Sequence, residues 1–224
     1  MESISREQHG ALRAGRITGS IAQRIMTSSR SSWNTIARDL RNPRPFYSLD
    51  DTPNMPEPLA WGQRHEPMAA GEFWDRHPEY DVLDPKFIRW HDEADTVRHA
   101  YFGYSPDRLL ARAASDALVG GLETKCPFDQ QVHIDVVRSA CVPVWAMWQV
   151  YHGMYVSDLT EWWFVSFDPR VQDPEWRYFE CPVRPHPRDM ERLRTTLDEF
   201  LHGFTMGERF TPLDPSAADL DRMF

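Results

Sequence analysis

Lysine is nearly absent from this sequence, because only Lys86 and Lys125 stand among its 25 basic residues and all the others are arginine. Cysteine is also scarce, with three residues and no CxxC spacing, so the sequence indicates neither a disulfide framework nor a zinc ribbon. We expect Cys126, Cys141 and Cys181 to be small apolar packing residues.

The sequence also lacks a long apolar run, since no window approaches the length that a bilayer-spanning helix needs. Residues 1–16 lack the apolar core of a signal peptide. We therefore expect a soluble, cytoplasmic protein with no membrane segment. Its 224 residues, 41% of them apolar and nine of them tryptophan, have room for one well-buried domain.

Negative charge predominates, and the net charge of −9 argues at first against a nucleic-acid partner. Residues 1–48 are the exception, because they hold eight arginines against three acidic residues. A basic end on an acidic body fits a protein that holds a polyanion in one place and metal-binding carboxylates in another. An ordinary solvated, arginine-rich helix face explains the same pattern.

The order of the predicted elements indicates an α/β (α+β) fold, a mixed central sheet flanked by helices with a helical N-terminal arm. We expect one domain over residues 1–224, with the arm and a Pro-rich linker in 1–57, the core in 58–206 and a tail in 207–224. Caps and periodicity predict helices over 5–14, from Ser20, and over 33–40, 58–76, 143–156 and 186–204. Alternation and turn signals predict strands over 80–90, 97–104, 108–113, 117–126, 158–169 and 175–183.

Two charges stand in GGLETKCPFD (residues 120–129), a stretch that otherwise has the pattern of a buried strand. Strand alternation places Glu123 and Lys125 on the same face. Asp107 begins a short strand upstream, and the AASD segment turns the chain back into the strand that carries Glu123. Adjacent antiparallel strands can therefore bring Asp107 beside Glu123.

These residue types suit phosphodiester hydrolysis. The Asp107 and Glu123 carboxylates, with the Thr124 carbonyl between Glu123 and Lys125, are hard oxygen ligands of the kind that Mg²⁺ selects. Lys125 can orient an attacking water or neutralise charge that develops on phosphorus. Arginine does not reproduce the compact ammonium and the titratable proton of lysine. ExK alone is a weak signal, since an exposed edge strand also produces it.

The same residues resemble the PD-(D/E)xK nucleases, whose core is restriction-endonuclease-like, and in particular the phage lambda-type exonucleases, also called the YqaJ-like viral recombinase family. The resemblance runs from about Arg13 to Phe204, although strict agreement is confined to short motifs that occur in the family's order. These motifs are LRAGRITGS (12–20), LAWGQRHEPMA (59–69), SPD (105–107), LETKCPF (122–128), MWQV (147–150) and FDPR (167–170).

The resemblance implies a role for each matching catalytic residue. Asp107, Glu123 and the Thr124 carbonyl would bind the catalytic Mg²⁺, with Mn²⁺ as a substitute, and Lys125 would act on the attacking water. Two departures from the family pattern are Arg108, where glycine is common, and Thr124, where an apolar residue is common. Because only the Thr124 carbonyl is needed, we expect little effect from its side chain.

Four further residues gain roles only through the resemblance. Glu66 would be a carboxylate for a second metal or for the water, and Gln149 would support Lys125 or the scissile phosphate. Arg13 and Ser20 would bind the 5′-terminal phosphate, which a helix N-terminus and a bidentate guanidinium favour. Without the family match, Glu66 and Arg13 are surface residues, Gln149 is a core amide and Ser20 is an ordinary helix cap.

The implied activity is Mg²⁺-dependent 5′-to-3′ digestion of linear double-stranded DNA, with release of mononucleotides and a 3′ single-stranded tail. The implied partners are double-stranded DNA ends, other subunits in a homotrimer ring, and a single-strand annealing protein in phage or prophage recombination. Two other functions use the same residues. One is a restriction-type or structure-specific endonuclease, and the other is a catalytically inert DNA-end-binding module.

Overall fold

The computed structural model describes residues 6–43 and 55–212. Most of the predicted Pro-rich linker and the tail from residue 213 onward lie outside the described residues. The helices are α1 (Arg6–Arg13), α2 (Gly19–Thr27), α3 (Trp33–Arg41), α4 (Glu57–Arg76), α5 (Thr96–Tyr101), α6 (Gln130–Ser139), α7 (Val144–Ser157), α8 (Pro174–Arg177) and α9 (Pro187–Met206). The strands are β1 (Tyr80–Leu83), β2 (Ile88–Arg89), β3 (Gly103–Tyr104), β4 (Arg108–Arg112), β5 (Leu118–Lys125), β6 (Glu161–Phe167) and β7 (Tyr178–Val183).

Five of these strands form a mixed sheet in the order β1-β4-β5-β6-β7. The β5–β6 pair is parallel and the other pairs of this sheet are antiparallel. The central strand β5 therefore has a parallel neighbour, β6, on one side and an antiparallel neighbour, β4, on the other. A second, two-stranded sheet joins β2 to β3. The predicted fold class, a mixed sheet flanked by helices, is confirmed.

Apolar side chains cover both faces of the main sheet, as strand alternation requires. One core packs the sheet against α2, α3, α7 and α9, and it includes Trp148, Trp162 and Phe200. The other packs the sheet against α4 and includes Phe73 of α4 and Leu122 of β5. The tryptophans and methionines around α7 thus belong to the core, as their helical spacing predicts.

The N-terminal arm is fastened to the rest of the fold at Ile17. The Ile17 N–H donates to the Tyr101 carbonyl at 2.8 Å, and the Gly103 N–H donates to the Ile17 carbonyl at 3.2 Å. His152 of α7 reinforces this link, because its Nε2–H lies 2.9 Å from the Ile17 carbonyl and 3.2 Å from the Gly103 carbonyl. Hydrogen bonding thus fixes where α2 begins relative to α7 and β3.

Two predicted strands are wrong in part. Residues 97–104 form α5 before the short strand β3, because the Asp95 side chain caps the helix by accepting from the Arg98 N–H at 3.0 Å. Arg98 also donates to Asp198 of α9 at 2.6 Å, a tertiary contact that no local pattern predicts. Residues 80–90 are not one strand either, since β1 and β2 belong to different sheets.

Two further corrections concern helices. The predicted strand over 175–183 begins as the short helix α8, which Asp173 caps, and only its second part is β7. α6 lies where no element was predicted; it follows an Asp129 cap and buries His133 and Val136. This helix has recognisable cap and periodicity signals, so the sequence contains the information that predicts it.

Two expectations from composition concern the cysteines and membrane-spanning helices. The three cysteines are free thiols, but only Cys126 is a buried packing residue, since Cys141 is exposed and Cys181 is half-buried. Within residues 6–43 and 55–212, no helix is both long and apolar enough to cross a membrane.

We predict that His152 makes stability fall in mild acid. Burial lowers the pKa of His152 to about 4, and its Nδ1 has no hydrogen-bond partner, so the folded protein holds the neutral ring. In the unfolded chain the His152 ring binds a proton near pH 6.5. The free energy of unfolding therefore decreases as pH falls from about 6.5 to about 4, by about 3 kcal/mol in total.

Denaturant unfolding of the wild type and of His152→Gln across that pH range measures this contribution. The glutamine amide can still donate to a carbonyl but does not titrate, so the variant should lose less stability than the wild type. Parallel pH dependence in the two proteins would contradict the assignment.

Candidate active site

Pairing between β4 and β5 brings the two predicted metal-binding carboxylates together. Arg108 of β4 lies opposite Leu122 of β5, and the Asp107 N–H extends this ladder by donating to the Leu122 carbonyl at 3.1 Å. The Asp107 Oδ2 then accepts from the Thr124 N–H at 2.6 Å and from the Thr124 hydroxyl at 2.9 Å. The Thr124 side chain therefore positions Asp107, contrary to the expectation that it has little effect.

Glu123 is 4% exposed, and each of its carboxylate oxygens has a partner. The Tyr104 hydroxyl donates to Oε2 at 2.5 Å, and Lys125 forms an ion pair with Oε1. The prediction that Glu123 and Lys125 share one face of β5 is thus confirmed. A buried carboxylate without such partners would strongly destabilise the fold.

Tyr104 is a site residue that the sequence analysis missed. A Cβ added to Gly19 would lie 2.6 Å from the Tyr104 ring, and a Cβ added to Gly153 would lie 2.8 Å from it. The two glycines, from α2 and α7, therefore form a slot that directs the Tyr104 hydroxyl at Glu123. The only sequence signal was its place three residues before Asp107 in YSPD, which does not separate it from a core aromatic.

The ammonium group of Lys125 is held in its charged form. Burial alone would lower its pKa, but Glu123 and Asp107 raise the pKa of Lys125 above the usual lysine value. About a quarter of the side chain, 26%, remains exposed. Lys125 is thus a fixed positive charge and hydrogen-bond donor that faces an accessible space.

Asp107 and Glu66 are carboxylates in an unfavourable electrostatic environment. Burial, together with the charges of Glu123 and Glu66, raises the pKa of Asp107 to about 7. Burial also raises the pKa of Glu66, which Lys125 partly opposes and Glu123 reinforces. Glu66 therefore lies close enough to the other carboxylates to interact with them, as its predicted role requires.

The donor chemistry of this cluster fits a divalent cation. Three carboxylates surround Lys125, and their mutual repulsion is what a metal ion would relieve. Within the described residues, no three His, Cys, Asp or Glu side chains converge closely enough to hold a metal ion alone. A cation at Asp107 and Glu123 would therefore depend on the Thr124 carbonyl and on oxygens from water or phosphate.

Of the other predicted site residues, Arg13 lies near this cluster, whereas Ser20 and Gln149 lie at the start of α2 and beside it. Arg13, at the end of α1, is half-buried; burial lowers its pKa, and the nearby charges of Asp107 and Glu123 oppose that shift. Ser20 is exposed in the first turn of α2 and is not its cap, a position that Thr18 occupies. Gln149 is half-buried with its Cβ 3.5 Å from a Cβ placed on Gly19, so it borders the start of α2.

The FDPR motif links the helix that carries Glu66 to the chain just beyond Lys125. Asp168 is fully buried and accepts from Arg170 at 2.6 Å. The Arg170 guanidinium lies 4.3 Å from the ring of Trp61 in α4 and donates to the Phe128 carbonyl at 3.0 Å. Arg170 thus positions α4 against the segment that follows β5.

Comparison with protein families gives one match over most of the chain. Residues 8–160 match the model of the YqaJ-like viral recombinase domain. No curated protein matches the chain significantly.

Comparison with solved structures shows the same fold in two bacterial proteins. An alkaline exonuclease from Laribacter hongkongensis is 22% identical, with a TM-score of 0.71 over 90% of this chain and 93% of that one. The same enzyme in complex with dAMP is 20% identical, with a TM-score of 0.70 over 88% and 91%. A phage-related exonuclease from Haemophilus somnus 129PT is 12% identical, with a TM-score of 0.59 over 88% and 96%.

We predict that Asp107→Asn stabilises the metal-free protein at alkaline pH. Asp107 binds its proton more tightly when folded than when unfolded, so stability is lost as pH rises from about 4 to about 7. The variant avoids a loss on the order of 4 kcal/mol, and its amide oxygen can still accept from Thr124. Denaturant unfolding in EDTA should show a more stable variant at pH 8 and no such advantage at pH 4. Equal stability at pH 8 would contradict the charge crowding.

We also predict that Tyr104→Phe destabilises the protein by about 1–3 kcal/mol, because a buried carboxylate oxygen loses its donor while the ring remains. Tyr151→Phe is the matched control, since that hydroxyl donates to the Arg184 carbonyl at 3.2 Å. Chemical denaturation of both variants compares the two losses. Mn²⁺ binding, followed by electron paramagnetic resonance, should weaken at least about tenfold in Tyr104→Phe only. Unchanged stability and binding would remove Tyr104 from the site.

Proposed function

Because the chain belongs to the YqaJ-like viral recombinase family, we propose that it is a Mg²⁺-dependent exonuclease that digests linear double-stranded DNA from 5′ ends. Its products are mononucleotides and a 3′ single-stranded tail. One observation carries the proposal: a buried Glu123, shared by Tyr104 and Lys125, lies beside Asp107 at the ends of two paired strands.

The metal would be held by Asp107, Glu123 and the Thr124 carbonyl, with Glu66 available nearby. Mg²⁺, or Mn²⁺ in its place, supplies the positive charge that activates water and stabilises charge on a phosphoryl group. The crowding that raises the pKa of Asp107 to about 7 supports this assignment, because ionised carboxylates at neutral pH need a compensating cation here.

The chain's own residues supply the remaining groups. In the metal-free protein Glu123 and Asp107 raise the pKa of Lys125, so its ammonium can donate hydrogen bonds to the attacking water or to a phosphate oxygen. Glu66, with its raised pKa, accepts a proton or orients the water. Gln149, beside the start of α2, supports the scissile phosphate through its amide.

The 5′-terminal phosphate is bound by Arg13 and Ser20. Arg13 is a half-buried cation that faces the carboxylates, and Ser20 lies in the first turn of α2, where free N–H groups favour an anion. The structure of the Laribacter hongkongensis enzyme with dAMP concerns a deoxynucleoside monophosphate, which is the class of product proposed here.

The proposal extends to the assembly and its surroundings. Three copies form a ring around the DNA, and closed rotational symmetry explains processive digestion because a ring does not easily leave its track. A single-strand annealing protein binds the exposed 3′ tail during phage or prophage recombination in the bacterial cytoplasm.

Digestion of matched linear and covalently closed circular duplexes tests the proposal. We predict that the wild type releases acid-soluble nucleotides from the linear 5′-phosphorylated duplex only, and that EDTA abolishes release. Lys125→Ala should lower the rate by at least about a hundredfold, because a preorganised cation is lost at the reacting phosphate. Arg138→Ala, which removes an exposed basic side chain of α6 that pairs only with Asp135, is the charge-matched control.

The other outcomes identify the alternatives. Cutting of the closed circle would contradict an exonuclease and favour the endonuclease. Binding of DNA ends without digestion, whether or not Mg²⁺ is present, would favour the inert end-binding module.

A further inference from the structure

Arg16 is a cation that the protein leaves incompletely partnered. Its Nη1 donates to the Leu12 carbonyl at 2.6 Å, and its guanidinium lies 5.7 Å from the ring of Phe87. The Nε–H is buried and has no hydrogen-bond partner. Carbonyl and ring contacts hold the group in place but leave its charge without an anion.

Arg89 of β2 is a second cation on the same side. Its side chain is exposed and makes no hydrogen bond or ion pair within the described part of the chain. The backbone explains why the two arginines are neighbours, because Gly103 pairs with Arg89 and also donates its N–H to the carbonyl of Ile17. Burial and the charge of Arg89 both lower the pKa of Arg16, so like charges face one another here.

Some exposed arginines of the described structure have acidic partners, as Arg76 does with Glu72 at 2.6 Å. Arg16 and Arg89 instead face each other, and neither guanidinium forms an ion pair with a carboxylate of the described residues. The Arg16 and Arg89 pair is destabilising unless an anion approaches it, so the arrangement favours binding of an anionic ligand.

The pair lies next to the proposed active site. The Arg16 N–H donates to the Arg13 carbonyl at 3.1 Å, and Gly15 between them has φ = +71°, which closes a tight turn. Because of this turn, Arg13 faces Asp107 and Glu123 while Arg16 faces Arg89 and Phe87. A polyanion with an end at Arg13 would continue past Arg16.

We propose that Arg16 and Arg89 bind internal phosphates of the DNA duplex, beside but distinct from the terminal-phosphate position at Arg13 and Ser20. This inference rests on the proposed function for the identity of the polyanion. Arginine side chains that contact phosphates carry no base information, so this site positions the duplex without sequence preference. Phe87 fixes the Arg16 guanidinium and does not need to contact a base.

The experiment measures binding of a labelled blunt duplex by fluorescence anisotropy in EDTA, over a series of potassium chloride concentrations. Arg89→Gln is the main variant because its exposed side chain supports no other contact, and Arg16→Gln/Arg89→Gln is the second. Arg138→Gln is the charge-matched control, an exposed arginine of α6 paired only with Asp135.

The expected signature is a change in salt dependence. The slope of log affinity against log salt should become shallower by about 1 for Arg89→Gln and by about 2 for the double variant, since each lost phosphate contact releases fewer counterions. The same decrease should occur with 5′-phosphate and 5′-hydroxyl duplexes. Arg138→Gln should match the wild type.

Two results would overturn the inference. An unchanged slope in the double variant would show that the pair contacts no phosphate. A decrease confined to the 5′-phosphorylated duplex would assign both arginines to the terminal-phosphate position. Digestion of the linear duplex by the wild type is measured separately, so failure of the nuclease proposal is distinguishable from failure of this one.

Discussion

A single buried carboxylate, that of Glu123, constrains the elements around it. An ionised group in a core needs a partner for each oxygen, and Tyr104 and Lys125 supply them. Lys125 does so from the same strand, but Tyr104 reaches Glu123 only because Gly19 and Gly153 leave room for its ring. The positions of α2, α7 and β5 are therefore coupled through one hydrogen-bonded carboxylate.

The carboxylates of the same cluster repel one another, and this repulsion lowers the stability of the metal-free fold. One lysine does not neutralise Glu123, Asp107 and Glu66, and the remaining repulsion opposes ionisation of Asp107 until near neutral pH. Electrostatic destabilisation of this kind is common at sites where a protein binds a charged ligand. Nearby, Arg16 and Arg89 form a repulsive pair of the opposite sign. If the proposed function is right, the carboxylate cluster would meet the metal ion and the arginine pair would meet phosphates of the polyanion.

The sequence predicts the strand-borne part of this site and not the part built by tertiary packing. Period-two alternation is a local property, so it predicts that Glu123 and Lys125 share one face of β5, as the structure shows. Tyr104 depends on a slot between two helices distant in sequence, which no local pattern reveals. The helix over Thr96–Tyr101 was predicted as a strand, because β-branched and aromatic residues favour strands while a contact with Asp198 of α9 helps hold Arg98 in the helix.

The proposed function requires that Asp107, Glu123 and the Thr124 carbonyl hold one divalent cation. The most direct measurement is the anomalous scattering of Mn²⁺ in crystals of the protein soaked with that ion, beside crystals of Asp107→Asn treated in the same way. We expect a peak within coordination distance of all three groups in the wild type and a weak peak or none in the variant. A wild-type peak at another position, or equal peaks in both proteins, would contradict this metal site.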